Sequence, residues 1–431
     1  MKPESIYIET YGCQMNKLDS EYVSAILEDG GYTVVSDLSE ADVILLNTCG
    51  VREKAEQRIH GRLGELSRYR KLRPELVFGV IGCMAQRLGE KLLSKSVRIV
   101  AGPDSYRNLP EMIENTVTKN STDTLLDTGE TYGGIEPVRT DSCSAWVAIT
   151  RGCNNYCSYC IVPYTRGRER SIPADNIIAE VEHLKAQGFH EITLLGQNVN
   201  SYQDGDISFA GLLDRVAGTG IEWIRFLTSH PKDLSCDILD VMAQRENICN
   251  HLHLPLQSGS DRTLKAMNRK YTISQYLTLI EQARKRIKGI NISTDIIFGF
   301  PGESEEDFHT TISIMKEIRF DFAYLYKYSE REGTQACTMP EKVPEQVRLA
   351  RLKEAISLQN SIMRRKNKEH IGSLFVVLVK GLSKDNKGWL GFTEANIPVV
   401  ISGDNHDLKA GMFVNVRIED TTGASLIGRI V

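Results

Sequence analysis

Residues 145–160 read AWVAITRGCNNYCSYC, an apolar strand-like run that ends in three cysteines at C-x3-C-x2-C spacing. A strand feeding such a loop puts its thiols just past the C-terminal end of a β-strand, where α/β folds carry their ligands. Working outward, five more strand-like runs follow: EITLLG (191–196), WIRFLTS (223–229), HLHLPL (251–256), ISTDIIFGF (292–300) and FAYLYKY (322–328). Helical periodicity separates most of them, so residues 140–370 predict a partial (β/α)6 barrel. Upstream, SIYIET, DVILLNT, LVFGVIG and VRIVAG alternate with helical patterns. That alternation predicts a Rossmann-like α/β domain with a parallel sheet over residues 1–120. The polar stretch 121–139 reads as a linker. After a long polar helix near 344–368, residues 371–431 hold five short strand-like runs punctuated by Gly, Asn and Asp. They predict a small antiparallel β-barrel.

At 431 residues the chain has room for about two to four domains. Hydrophobic residues at 41% and charged residues at 25% exclude disordered, collagen-like and coiled-coil classes. No apolar run approaches the roughly 18–20 residues of a membrane span, and MKPESIYIET lacks a signal-peptide core. Both point to a cytoplasmic protein. There thiols stay reduced, so the ten cysteines suggest metal binding or catalysis over disulfides. With a net charge of −4, any nucleic acid must be held by local patches, not by a global basic field.

Cys153, Cys157 and Cys160 can ligate three irons of a 4Fe–4S cluster, leaving the fourth iron open to a small molecule. A zinc loop would need a fourth ligand at short range, and none follows. Cys13, Cys49 and Cys83 share another address, each just past a strand of the N-terminal sheet, flanked by Gly12, Asn47, Thr48 and Gly82. They are either a second metal site or three core cysteines. Cys143, Cys236, Cys249 and Cys337 have no partners in spacing and read as structural.

Other segments fall at strand ends. Gly196-Gln197-Asn198, Ser229-His230, Gln257-Ser258 and Gly299-Phe300-Pro301-Gly302 lie where backbone and polar groups can approach a cofactor. Asp295 interrupts an apolar strand and needs a partner or a function. Arg166, Arg168 and Arg170 follow the cysteine loop, interleaved with Tyr156, Tyr159 and Tyr164, and suit phosphate contact and base stacking. Three further basic runs, near 68–73, 284–288 and 364–368, read as solvated helix faces. The last 61 residues are not basic, with six Lys and Arg against six Asp and Glu, so RNA binding there would rely on shape or on stacking at Trp389 or Phe392.

The C-x3-C-x2-C run with Tyr159 before its last Cys resembles the signature of radical S-adenosylmethionine (SAM) enzymes. YGCQMN (11–16), NTCGVREKA (47–55), GCMAQ (82–86) and RGCNNYCSYCIVPYTRGRER (151–170) are similar to the methylthiotransferase family within them. The likeness runs over essentially the whole chain, its last barrel resembling a TRAM domain. Gly50 and Ile172 depart from it, where Ser and Arg are usual. The resemblance implies two 4Fe–4S clusters, one on each cysteine triad. It implies SAM near Tyr159, Gly196, Gln197, Asn198, Ser229, Gln257, Asp295, Gly299, Pro301 and Gly302, and RNA near Arg166, Arg168 and Arg170. The implied reaction adds a methylthio group to C2 of N6-isopentenyladenosine at tRNA position 37, in the anticodon stem-loop. One SAM would give the methyl group and another a 5′-deoxyadenosyl radical. An electron donor such as flavodoxin or ferredoxin, and a monomeric state, complete the expectation. Alternatives are a methylthiotransferase for threonylcarbamoyladenosine or a ribosomal protein, and a non-catalytic metal-containing RNA-binding protein. The two triads must then meet across one cavity, the N-terminal sheet docked over the barrel mouth.

Overall fold

In the computed structural model, which describes residues 3–50, 53–94, 96–116, 118–383, 388–403 and 407–431, the N-terminal part is one parallel sheet. Its strands are β1 (Ser5–Tyr11), β2 (Thr33–Val35), β3 (Val43–Thr48), β4 (Val77–Gly82), β5 (Val97–Ala101) and β6 (Ser121–Asp123), in the order β2-β1-β3-β4-β5-β6. Every residue of β3 and β4 is buried, because helices cover both faces. α1 (Gln14–Asp29) and α4 (Leu109–Asn115) pack on one face, and α2 (Glu53–Leu72) and α3 (Cys83–Leu88) on the other. Tyr11, Thr48 and Gly82 share one rank of the β1–β3–β4 register.

The central part begins with β7 (Ser144–Ala148). A short ribbon, β8 (Thr150–Arg151) with β9 (Arg170–Ser171), brackets the cysteine loop and α5 (Val162–Thr165). Next come α6 (Ala174–Ala186), β10 (Glu191–Leu195), a second ribbon of β11 (Gln203–Asp204) and β12 (Ile207–Ser208), α7 (Phe209–Gly218), β13 (Trp223–Phe226) and α8 (Cys236–Gln244). The chain continues through β14 (His251–His253), α9 (Asp261–Ala266), α10 (Ile273–Arg286), β15 (Asn291–Phe298), α11 (Glu305–Ile318) and β16 (Phe322–Lys327). α12 (Gln335–Thr338) and α13 (Glu345–Glu369) close it. The parallel trios β7-β10-β13 and β14-β15-β16 join through the bridge Ile224–Ile248, giving the open six-stranded (β/α) arrangement. β14 is shorter than the HLHLPL run because Pro255, which has no N–H to donate, falls just past it.

The last part is a closed barrel of β17 (Leu374–Leu382), β18 (Trp389–Thr393), β19 (Pro398–Ile401), β20 (Phe413–Thr421) and β21 (Leu426–Ile430). It is not wholly antiparallel: β19 and β21 run parallel, because the chain crosses to β20 before returning beside β19. The barrel docks on the N-terminal ends of β10 and β13. There Arg225 donates to the carbonyls of Thr393 and Glu394 and to Glu191, and Lys380 also pairs with Glu191.

The linker begins later than expected. Residues 121–123 extend the first sheet as β6, since an edge strand needs backbone pairing more than apolar side chains. Beyond it, Tyr132 is buried between Tyr22 and Tyr106, fastening the connection to α1. Among the described residues no helix is long and apolar enough to cross a membrane.

Candidate functional site

The shared rank of Tyr11, Thr48 and Gly82 brings Cys13, Cys49 and Cys83 to one edge of the sheet. The Cys49 amide donates to the Tyr11 carbonyl at 2.9 Å. Behind them Asn16, fully buried on α1, takes the Cys13 amide and thiol on its Oδ1, each at 3.3 Å. Its Nδ2 donates to Asn47 Oδ1 at 3.1 Å, and Asn47 answers through its own Nδ2 to the Asn16 carbonyl at 2.8 Å. A hydrogen bond with Cys49, helped by the Arg166 charge, lowers the Cys13 thiol to about 6 against the effect of burial. Burial raises Cys83, with Arg166 beside it working the other way. Gly50 stands against Cys83, where a Cβ would come within 3.2 Å of its carbonyl oxygen. Val51 and Arg52 of that motif lie outside the described residues.

The second triad sits on the loop after β8. The Cys153 amide donates to the Gly167 carbonyl, the Ser158 amide to Met267, and the Ser158 hydroxyl to Ala266 at 2.9 Å. Gln197 Oε1 accepts the Gly152 amide at 2.5 Å. Gly152 has φ +76°, and a Cβ there would lie 2.1 Å from the Arg168 carbonyl oxygen, so the loop closes only on glycine. Burial, together with the neighbouring thiols, pushes Cys153 up to about 11 and Cys160 up to about 12. These thiols therefore release protons when they take a metal. Arg269 Nη1 stands 3.4 Å from Cys157 Sγ.

Between the triads runs a buried seam of charge. Asp19 of α1, 0% exposed, accepts Arg151 at 3.0 Å and Arg166 at 2.5 Å. Asp104 accepts Arg170 at 2.8 Å, and Arg151 lies over the Tyr132 ring. α3, which starts at Cys83, packs on α5, which starts two residues after Cys160. The Cys83 edge of the N-terminal sheet is thus docked beside the loop of the second triad. Arg166 and Arg170, expected to meet RNA, lie in this seam instead: they are only 4% and 9% exposed and point inward to the aspartates. Pairing of β9 with β8 turns Arg170 there, Arg166 directly follows α5, and Arg168 alone of the three is exposed. Tyr156 and Tyr164, by contrast, are exposed and edge-to-face at 6.1 Å on the loop's rim.

The barrel mouth carries buried polar atoms without a hydrogen-bond partner. They are Thr150 Oγ1, Asn198 Oδ1, Ser229 Oγ, His230 Nε2 and Gln257 Oε1, contributed by the loops after β7, β10, β13 and β14. Such orphans are costly unless a polar ligand meets them. Tyr159 packs against a buried apolar cluster of Met267, Phe300, Tyr328 and Ala336, and Pro301 and Gly302 follow Phe300 in the chain. Gly299, at φ +72°, lets the Arg348 stem approach, and its amide donates to Glu303. Gly196 ends β10 against Thr150. Asp295 has a partner, His253 Nε2 at 3.2 Å. Both triads fit a cluster in donor chemistry, and the orphan ring fits a polar cofactor. Among the described residues no trio of His, Cys, Asp or Glu forms a single-ion site.

The Asp19–Arg151–Arg166 seam, Asp104, Asn16 and Arg269 are absent from the expectations. Asn16 and Asp19 lie three apart on the face of α1 that also buries Met15, Tyr22 and Val23, and polar residues in that apolar phase were the available signal. The four remaining cysteines form no disulfide, and Cys249 packs with Trp223 and Leu378 as a core residue.

Family models match in the same three parts: Uncharacterized protein family UPF0004 over residues 5–102, the Radical SAM superfamily over 147–315 and the TRAM domain over 368–431. The tRNA-2-methylthio-N(6)-dimethylallyladenosine synthase of Thermodesulfovibrio yellowstonii is 47% identical, covering 100% of both chains. That of Chlorobium phaeobacteroides is 46% identical, over 99% of this chain and 96% of its own. The chain belongs to this family of synthases. Among solved structures, the radical S-adenosylmethionine methyltransferase TsrM from Kitasatospora setae matches with TM-score 0.54 at 14% identity, over 78% of this chain and 77% of that one. The cobalamin-dependent S-adenosylmethionine radical enzyme OxsB matches with TM-score 0.56 at 11% identity, over 83% and 56%. At these identities the likeness is one of fold.

Proposed function

We propose that the protein is a radical SAM tRNA methylthiotransferase that converts N6-isopentenyladenosine beside the anticodon to its 2-methylthio derivative. The observation that carries this reading is a pair of cysteine triads on two parts joined by the buried Asp19–Arg151–Arg166 seam, in a chain whose full-length relatives bear that synthase name. Cys153, Cys157 and Cys160 would hold one 4Fe–4S cluster, and Cys13, Cys49 and Cys83 the other. When bound, the first supplies the electron that splits SAM into methionine and a 5′-deoxyadenosyl radical, and the second supplies sulfur.

The chain's own residues bind, orient and exclude. Gln197 and Met267 fix the loop that carries Cys153, Cys157 and Cys160, and Asn16 with Asn47 supports the Cys13 triad. The orphaned Asn198, Ser229 and Gln257 oxygens would meet the polar groups of SAM, with Tyr159 on its adenine. Arg168, Tyr156 and Tyr164 stand exposed at the rim, where an extruded anticodon-loop base would arrive. The enzyme works as a cytoplasmic monomer and takes electrons from a flavodoxin- or ferredoxin-like donor.

Anaerobic reconstitution tests the reading. About eight irons per chain are expected, four for each cluster, falling by about four in Cys13→Ala and, separately, in Cys157→Ala. Nucleoside mass spectrometry should find the methylthio-isopentenyl product only with the wild type. A single metal centre, or no 5′-deoxyadenosine under strong reductant, refutes it.

A further inference from the structure

A cavity of about 460 Å3 opens where all three parts meet. Cys13 enters from the edge of the N-terminal sheet, Trp146 and Tyr324 from β7 and β16, Leu227 from just past β13, Phe392 from β18 and Asn396 from the turn to β19. β7 and β16, which carry Trp146 and Tyr324, are the outermost strands of the open six-stranded arrangement, so the cavity occupies its open side. The C-terminal barrel is therefore one wall of the same space that one triad borders.

The cations in this cavity are already engaged. Arg225 and Lys380 pair with Glu191, and Lys17 lies 5.4 Å from the centre of the Trp146 ring. Arg225 also grips the carbonyls of Thr393 and Glu394, fixing the hairpin on either side of which Phe392 and Asn396 sit. A ligand therefore meets the aromatic and aliphatic faces of Trp146, Leu227, Tyr324 and Phe392. Those faces suit a planar base bearing a branched hydrocarbon, whereas an anionic substituent would have to turn Lys17 off the Trp146 ring or draw Arg225 or Lys380 away from Glu191.

On the reading that the substrate is N6-isopentenyladenosine, we infer that Phe392 is a specificity-determining residue that packs on the N6 substituent of the target base. In the purine ring C2 and C6 flank N1. With C2 toward the Cys13 edge, the N6 substituent points away from it, toward the wall built by Phe392. The C-terminal barrel thus reads the base itself, and not only the RNA around it.

Fluorescence anisotropy on anaerobic, cluster-loaded protein tests this, using anticodon stem-loop RNAs with and without the isopentenyl group. Phe392→Ala removes the wall, and Phe392→Leu keeps an apolar side chain without the ring. The wild type should prefer the isopentenyl RNA, and Phe392→Ala should cut that preference roughly tenfold, with Phe392→Leu in between. Iron content per chain confirms that the variants compared are loaded. A wild type that prefers the isopentenyl RNA, with both variants preferring it equally, overturns the role of Phe392 alone. A wild type indifferent to the isopentenyl group overturns the role of Phe392 and the substrate reading together.

Discussion

Asp19→Asn tests the seam that joins the two parts carrying the triads. Asp19 is completely buried and takes one guanidinium on each oxygen, Arg151 on Oδ1 and Arg166 on Oδ2. With Asp104 it balances two of the three buried arginines at this interface, Arg151, Arg166 and Arg170, leaving an excess of one positive charge. Asparagine keeps the shape but removes the charge, doubling the excess, and its amide nitrogen would face one arginine donor to donor. Removing one partner of a buried pair costs about 3–5 kcal/mol. Because the domains need not unfold together, a global melting curve is the wrong readout. Hydrogen exchange by mass spectrometry on α1 and on residues 151–171 reads the interface directly. At about 1.4 kcal/mol per decade, protection there should fall by roughly 10²- to 10⁴-fold. Replacing all three with apolar residues, Asp19→Leu with Arg151→Met and Arg166→Met, should recover most of it, since desolvation of the charges disappears with them. A fall of less than tenfold in Asp19→Asn would show that the seam does not hold the domains together.

Gly152→Ala should cost the first cluster selectively: a left-handed backbone and a Cβ 2.1 Å from the Arg168 carbonyl oxygen force the loop open, and iron should drop from about eight to about four per chain. Burial, with the charges of Arg269 and Lys232, pulls His230 down to about 2. The folded chain keeps it neutral while the unfolded chain protonates it near 6.5, so acidification between about pH 6.5 and 2 favours unfolding. Denaturant titrations of cluster-free protein should lose up to about 1.4 kcal/mol per pH unit below about pH 6 from this group, a slope that His230→Gln lessens. An identical pH dependence in the variant contradicts the assignment.

The sequence made the strands and both triads legible because each signal is local. The C-x3-C-x2-C loop is contiguous, and Cys13, Cys49 and Cys83 each follow a strand-like run, fully buried for the last two. Parallel register does the rest, since strands hydrogen-bonded in rank deliver the residue after each to the same edge. What stayed hidden depends on contacts across 66 to 147 residues. Nothing near Arg166 or Arg170 announces that Asp19 and Asp104 will receive them, and a run of arginines beside a nucleic-acid site has the same appearance whether it faces solvent or a buried carboxylate. Hydrophobic periodicity reports how much a position is buried on average, not which charge waits opposite.

The seam and the barrel dock answer one geometric demand from opposite ends of the central strands. Arg151 and Arg166 tie the N-terminal sheet to the mouth, where the C-terminal ends of the strands converge. Arg225 and Lys380 tie the C-terminal barrel to the opposite ends, at Glu191. Each tie is a buried ion pair, which is weak evidence for stability but fixes direction and distance, because a guanidinium out of water tolerates few geometries. An apolar interface of the same area could slide. Sliding by a few ångströms would carry Cys13 out of register with the loop at Cys153, and Phe392 out of the cavity they share. Charge at both docks is therefore best understood as alignment, holding three parts of the chain around a space no one of them encloses.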